Sequence, residues 1–422
     1  MKKLFLVFSI LTASITVMGQ QPIPVKPRIL ISTDIGGTDP DDNQSMAHFL
    51  MYSEMFETEG LVSSPSYGHG SKQNLLDMID LYEKDLPKLK KYIKGFPSPD
   101  ALRAICKQGR QGPAPFKGYT TATEGSDWII KCARKESTRP LWILVWGGLD
   151  DLAQALHDAP DIQNKIRVYW IGGPKWSSNS YVYIVENFPN LWFIEANASY
   201  RGFITNDKQP GKFNKDYYDE CIRGAGYLGK DYIKYYDGKV KMGDTPSLLY
   251  MMDGDPNNPQ KESWGGSFEK FTHSPRIIFN RSTTLKDTVP VYAIIEFRIK
   301  GPEMNIPADS TCFTMTTDGQ DWDGFYLGNG EYAVRYAPKS TAVLTYKITS
   351  DIPGFPEQTG EFVVNNTWPG KIDADDYKLG DYWYTDRNDA NLFEGKWQGS
   401  KTVSKWRKDV LQDWAKRWEL LK

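Results

Sequence analysis

Short apolar runs alternate with amphipathic segments through the first 270 residues of the chain. The run Ile29, Leu30, Ile31 ends in a polar, glycine-containing loop. Met46, Phe49 and Leu50 then recur at helical spacing, which predicts a strand followed by a helix over 42–56. Residues 59–62 read as a second strand, and Leu75, Leu76, Ile79, Leu81 and Tyr82 give one apolar face to a helix over 72–82. A further helix is expected over 127–133, with Ser126 as its cap. Three near-continuous apolar runs follow at 141–146, 166–171 and 191–196, with a helix over 149–157 between the first two. Strands apolar on both faces, alternating with helices, predict an α/β fold with an open, mainly parallel sheet flanked by helices, spanning 27–270.

The period changes near residue 271. Segments at 291–299, 311–316, 325–327, 331–336, 342–348 and 361–364 are rich in β-formers, many alternating apolar with polar positions, and Asp318-Gly319 and Asn329-Gly330 mark hairpin turns. They predict a small all-β, sandwich-like module over 271–375. In the last segment, 376–422, Trp406, Val410, Trp414 and Trp418 recur every four residues. A closing helix with so wide an apolar face is expected to pack on the α/β domain.

At the amino end, Lys2 and Lys3 precede an apolar stretch over 4–18 that stops near Gly19, the layout of a secretory signal peptide over 1–19. The stretch is too short to span a bilayer, and no cysteine lies near the cleavage region to carry a lipid. A secreted or periplasmic protein without a membrane anchor is therefore expected. Hydrophobic residues make up 40% of the chain, enough for a large core, and a net charge of −2 leaves no basic surface for a nucleic-acid polymer. The four cysteines, Cys106, Cys132, Cys221 and Cys312, have neither disulfide-scaffold nor metal-site spacing. Nothing in the pattern supports an oligomer interface.

Chemistry concentrates in the loop after the first strand, where Asp34, Asp39, Asp41 and Asp42 fall within nine residues. One reading is a helix start, with Asp39 as cap, Pro40 at the first helical position, and Asp41 and Asp42 complementing the helix dipole. That leaves Asp34 and the paired glycines Gly36 and Gly37 without a role. The other reading is a hard-cation site: calcium takes six to eight oxygens, and open α/β sheets place ligands at strand carboxyl ends.

The succession STDIGGTDPDDNQSM (32–46), EGLVSS (59–64), PLWILVWGGLDDLAQAL (140–156), IRVYWIGG (166–173), NFPNLWFIEAN (187–197), RGF (201–203), GDTPSLLY (243–250) and SWGGSF (263–268) resembles the nucleoside hydrolase superfamily. More closely, it is similar to the secreted, cellulose-binding-type branch of that superfamily. The resemblance implies a calcium ion (Ca2+) held by Asp34, Asp42, the backbone carbonyl of Trp146, and Asp244. It also implies Asp34 as general base and Asp41 as a contact to sugar hydroxyls. The reaction implied is hydrolysis of an N- or O-linked glycosidic bond in a sugar-containing small molecule or oligosaccharide.

The sequence departs from the family's pattern at three points. Ser32 replaces the first acid of the loop, the following stretch is longer and admits Asp39, and Gly243 stands where many members carry a leaving-group histidine. His69, Asn179, Asn187 and Trp264 are further candidates for substrate contacts: His69 as a substitute acid or hydrogen-bond partner, the asparagines toward hydroxyls, and Trp264 by stacking. His48 and His157 read as structural. The alternative function is a non-catalytic carbohydrate-binding protein that keeps the calcium site for sugar recognition.

Overall fold

A computed structural model describes residues 25–37, 39–65, 67–68, 70–204 and 216–422. The expected leader over 1–19 and His69 lie outside the described residues. Strands β1 (Arg28–Thr33), β2 (Glu57–Ser63), β3 (Cys106–Gln108), β4 (Leu141–Trp146), β5 (Ile166–Ile171) and β6 (Trp192–Ala196) pair in parallel in the order 3-2-1-4-5-6. The strand Trp383–Asp386 adds to β6 in parallel, and Phe268–Lys270 closes that edge antiparallel.

The apolar runs are continuous because both faces of the sheet are covered. In β4, Leu141, Ile143 and Val145 enter one core, while Trp142, Leu144 and Trp146 enter the other. The helices are α1 (Asp41–Met51), α2 (Lys72–Tyr92), α3 (Pro99–Ala104), α4 (Glu124–Arg134), α5 (Asp150–Asp158), α6 (Ser178–Asn187), α7 (Gly226–Tyr232) and α8 (Thr245–Met252). Of these, α4, α5 and α6 cover the first face, and α1, α2, α3, α7 and α8 cover the second. Helix α2 runs ten residues beyond its expected end because Leu86 and Leu89 continue the buried stripe through Pro87.

The all-β module is one eight-stranded sheet, from Thr288–Pro290 at one edge to Arg276–Phe279 at the other. Phe297 lies near the second edge, yet its ring meets Tyr346 at 4.6 Å and Phe362 at 6.2 Å from the opposite half. The sheet therefore curls over its own core into a near-barrel, where the sequence suggested two stacked layers. The chain enters and leaves the module side by side, with His273–Ser274 paired to Tyr377–Lys378.

The final segment, read from sequence as helical, first supplies the strand Trp383–Asp386 and then α9 (Lys401–Ser404) and α10 (Arg407–Glu419). Trp414 and Trp418 of α10 are fully buried, and the Trp414 ring meets His48 of α1 at 5.3 Å. No described helix is long and apolar enough to cross a membrane.

Strand order reverses between β1 and β4. In open α/β sheets the crevice at such a reversal, outside the carboxyl ends of the strands, is where ligands bind.

Candidate functional site

The crevice holds five aspartates, of which Asp39 is exposed. Asp34, Asp41, Asp42 and Asp244 line one cavity of about 90 Å³ with Gly147, Gly172, Trp176, Tyr200 and Lys339. Oxygens of Asp41, Asp42 and Asp244 lie within 4.8 Å of one another.

Each carboxylate is positioned by a separate device. Asp34 follows β1, and its N–H donates to the Trp146 carbonyl at the end of β4 (3.0 Å). Its carboxylate presses on the chain just beyond, where a Cβ at Gly147 would fall 2.3 Å from Oδ2; glycine is needed there for space and for a φ of +103°. Asp42, in the first turn of α1, accepts a short hydrogen bond from the Thr33 hydroxyl. Asp244 arrives from two hundred residues away on the loop before α8, which α1 clamps. Gln44 accepts from the N–H groups of Lys241 and Met242 and donates to the Lys239 carbonyl. Ser45 accepts from the Asp244 N–H at 3.3 Å. Below it, the Trp146 indole donates to the Ser247 hydroxyl, which donates to the Asp244 carbonyl.

Gly243 has a steric reason. A Cβ at that position would sit 2.2 Å from Asp41 Oδ2, so a histidine there would displace Asp41.

The electrostatics of the four acids are unbalanced. Burial pushes the Asp34 carboxyl up to about 6, although a hydrogen bond with Asp42 and the charge of Lys339 pull it down. Burial, with Asp39 beside it, pushes Asp41 up to about 7. Asp42 and Asp244 are raised well above the ordinary range, first by burial and then by neighbouring carboxylates. Asp244 Oδ2 is buried without a hydrogen-bond partner. Buried charges persist when paired or when coordinating a metal, and a hard, all-oxygen donor set of this kind fits a hard cation. Asp34, Asp41, Asp42, Asp244 and the Trp146 carbonyl are the oxygens that could hold one.

Several sequence expectations change. Asp39 is not the cap of α1: Pro40 occupies that position without a side-chain cap, and Asp39 is drawn into an ion pair with Lys241. Asn187 lies at the far end of α6 from the crevice, exposed, with its amide donating to the Tyr183 carbonyl. Trp264 packs at the margin of the core beside α8 rather than on the acidic cavity. Asn179, at the near end of α6, lines a neighbouring cleft, where its amide donates to the Ala114 carbonyl and accepts from Arg335.

The structure also brings in residues that had no motif support in the sequence, Glu195 among them as a possible acid. Lys339 reaches the acidic cavity from the β module. Glu195 and Asn197 at the end of β6 are fully buried, each with an unpartnered oxygen, and Asn197 faces Gly173 on the cavity wall. The two acceptors in the EAN stretch at a strand end were the available signal.

A family profile described as "Cellulose-binding Sde182, nucleoside hydrolase-like domain" matches residues 28–268, and one described as "Domain of unknown function (DUF5060)" matches 288–351. Among solved structures, the chain is similar to a nucleoside hydrolase-related hypothetical protein from Saccharophagus degradans that is associated with carbohydrate metabolism. That match has 19% identity and a TM-score of 0.50, and covers 81% of this chain and 100% of that one. An inosine-uridine preferring nucleoside hydrolase from Bacillus anthracis aligns at 16% identity and TM-score 0.35, over 60% of this chain and 87% of that one. No curated protein matches the chain.

Proposed function

The chain belongs to the cellulose-binding Sde182, nucleoside hydrolase-like family, and from that premise we propose that it is a secreted, calcium-dependent hydrolase of a glycosidic bond. The observation that carries this is the set of four aspartates at the strand reversal, Asp41, Asp42 and Asp244 buried and Asp34 half-buried, with the Asp244 Oδ2 unpartnered. Calcium held by Asp34, Asp42, Asp244 and the Trp146 carbonyl would supply positive charge that acidifies a water and anchors vicinal sugar hydroxyls.

The protein's own part follows from position. Asp34 Oδ accepts the proton of the attacking water. That water's oxygen bonds to the anomeric carbon as the bond to the leaving group breaks, with oxocarbenium character between the two events; the bonding pair stays on the departing oxygen or nitrogen, which takes its proton from solvent. Asp41 orients a sugar hydroxyl. Tyr200 and Trp176 wall the cavity.

A second reading, sugar recognition without turnover, is favoured by one observation: Gly243, packed on Asp41, leaves no room for a leaving-group histidine at that position. One experiment separates the two. The protein is incubated with aryl glycosides, oligosaccharides and nucleosides, in calcium or in chelator. Turnover that disappears with chelator and in Asp34→Asn supports the hydrolase. Calcium-dependent binding without turnover across the panel replaces it with the binding protein.

A further inference from the structure

Beside the acidic cavity lies a second one, of about 240 Å³, along the seam between the α/β domain and the β module. Trp176 lines both. In the second cavity it is part of an aromatic series: the Tyr67 ring is 4.6 Å from Trp176, and Trp176 stacks on Trp322 of the β module at 5.5 Å and 23°. The Trp322 indole N–H is buried without a partner. Two exposed carboxylates, Asp321 and Asp323, flank that tryptophan on its own strand and line the same cavity.

Aromatic faces with adjacent acids could serve a cationic ligand, but here the series already holds its own cation. Lys175 Nζ lies 4.8 Å from the Trp176 ring and 5.8 Å from Trp322, and is paired with Asp318 at 2.6 Å. A neutral ligand with an apolar face and hydroxyl edges is the better match. Its C–H face would lie on the indoles and its hydroxyls would donate to the carboxylates.

We propose that this cavity is a subsite for a further pyranose unit, so that the ligand is an oligosaccharide running from the acidic cavity across Trp176 onto Trp322 of the β module. The proposal rests on the reading of the acidic cavity as a sugar site and adds the place of the next unit: a subsite at the seam, so that the bound chain spans both domains. The β module is then half of the binding cleft. Two placements support this: Trp322 reaches this cavity and Lys339 the acidic one, from separate parts of the module.

The test is calorimetric titration of the full chain, in calcium, with gluco-, xylo- and galacto-oligosaccharides of one to four units and with nucleosides. Asp34→Asn and chelator serve as controls for the acidic cavity. The expected result is at least a tenfold gain in affinity between one unit and two or three for one sugar series. That gain is lost in Trp322→Ala and reduced in Asp321→Ala, while single-unit binding stays within about twofold. The Asp321 variant, at an exposed position, keeps the test decisive should Trp322→Ala unfold. Binding of single sugars with no gain for longer chains overturns the subsite and leaves the acidic cavity intact. A gain unaffected by both variants overturns it as well, as does tighter, Trp322-dependent binding of nucleosides, which would assign the indoles to a base. If no sugar of any length binds, both readings fail.

Discussion

Two regions of the molecule bury acid, and they solve the problem in opposite ways. In the β module, Glu296 is fully buried among Arg276, Arg298 and Arg335, with Tyr377 donating a further hydrogen bond. Burial alone would push its carboxyl up, but Arg335, Arg298 and Arg276 outweigh it and hold it down at about 2. In the crevice, Asp34, Asp41, Asp42 and Asp244 share one small cavity with the more exposed Asp39, and among the described residues Lys339 is the single cation lining it. The first acid finds its partners within the chain and reads as structure. Among the described residues the second group lacks comparable partners, and this is the imbalance that the proposed cation would relieve. Acid density alone does not mark a site; uncompensated buried acid does.

The largest expected effect is on turnover. Asp34→Asn keeps the shape and removes the proton acceptor, so turnover is expected to fall by about 10²–10⁴-fold, the usual weight of a general base. The measurement is initial rate on whichever glycoside the panel identifies. An equal loss in Glu296→Gln, in protein that remains folded, would erase the distinction between the two regions.

On stability the order reverses. Glu296→Gln strands three arginines and is expected to cost about 3–5 kcal/mol in urea unfolding, with calcium affinity unchanged. Asp244→Asn removes one of several repelling charges, so its Tm in chelator is expected to rise, while the stabilisation by calcium disappears. For the wild type that stabilisation is about 2.7 kcal/mol at calcium one hundred times its Kd. A calcium response that survives in both Asp42→Asn and Asp244→Asn would refute the metal site.

The same contrast extends to pH. The Glu296 carboxyl titrates lower in the folded chain than in the unfolded one, so the unfolded state binds the proton first as pH falls. Its contribution is complete above the unfolded value near 4.5 and is lost as pH drops toward about 2. That contribution amounts to about 3 kcal/mol. The stability difference between wild type and Glu296→Gln should therefore be full at pH 6 and shrink steeply below pH 4.5, as read from urea midpoints in chelator.

How much of this was legible follows from the range of the interactions. The parallel strands and Asp34, Asp41, Asp42 and Asp244 were visible because each sits in a run whose period or motif is local. Asn187 was misplaced for a countable reason: eight residues beyond Asn179 on one helix is about 12 Å of rise, so the two cannot serve the same end of α6. Trp322 and Lys339 were invisible as site residues, because nothing local tells a segment nearly three hundred residues downstream of the acidic loop which surface it returns to. The strand Trp383–Asp386 is four residues long and fully buried, too short for its period to be read against the helices that follow.

The smallest effect tests the boundary of the site. Asp39 stands among the four acids in sequence and lines the same cavity, yet it is about half exposed and already paired with Lys241. An exposed ion pair contributes about 0–1 kcal/mol and is screened by salt. Asp39→Ala is therefore expected to lower stability by less than about 1 kcal/mol, with the difference fading in high salt. Its calcium affinity, measured by titration beside Asp42→Asn, should change by less than about threefold, since removing a half-exposed charge already paired with Lys241 alters the field at the cavity only slightly. A large loss in Asp39→Ala would mean that this carboxylate leaves Lys241 for the cation, and the line between the compensated and uncompensated acids would have to be redrawn through the loop itself.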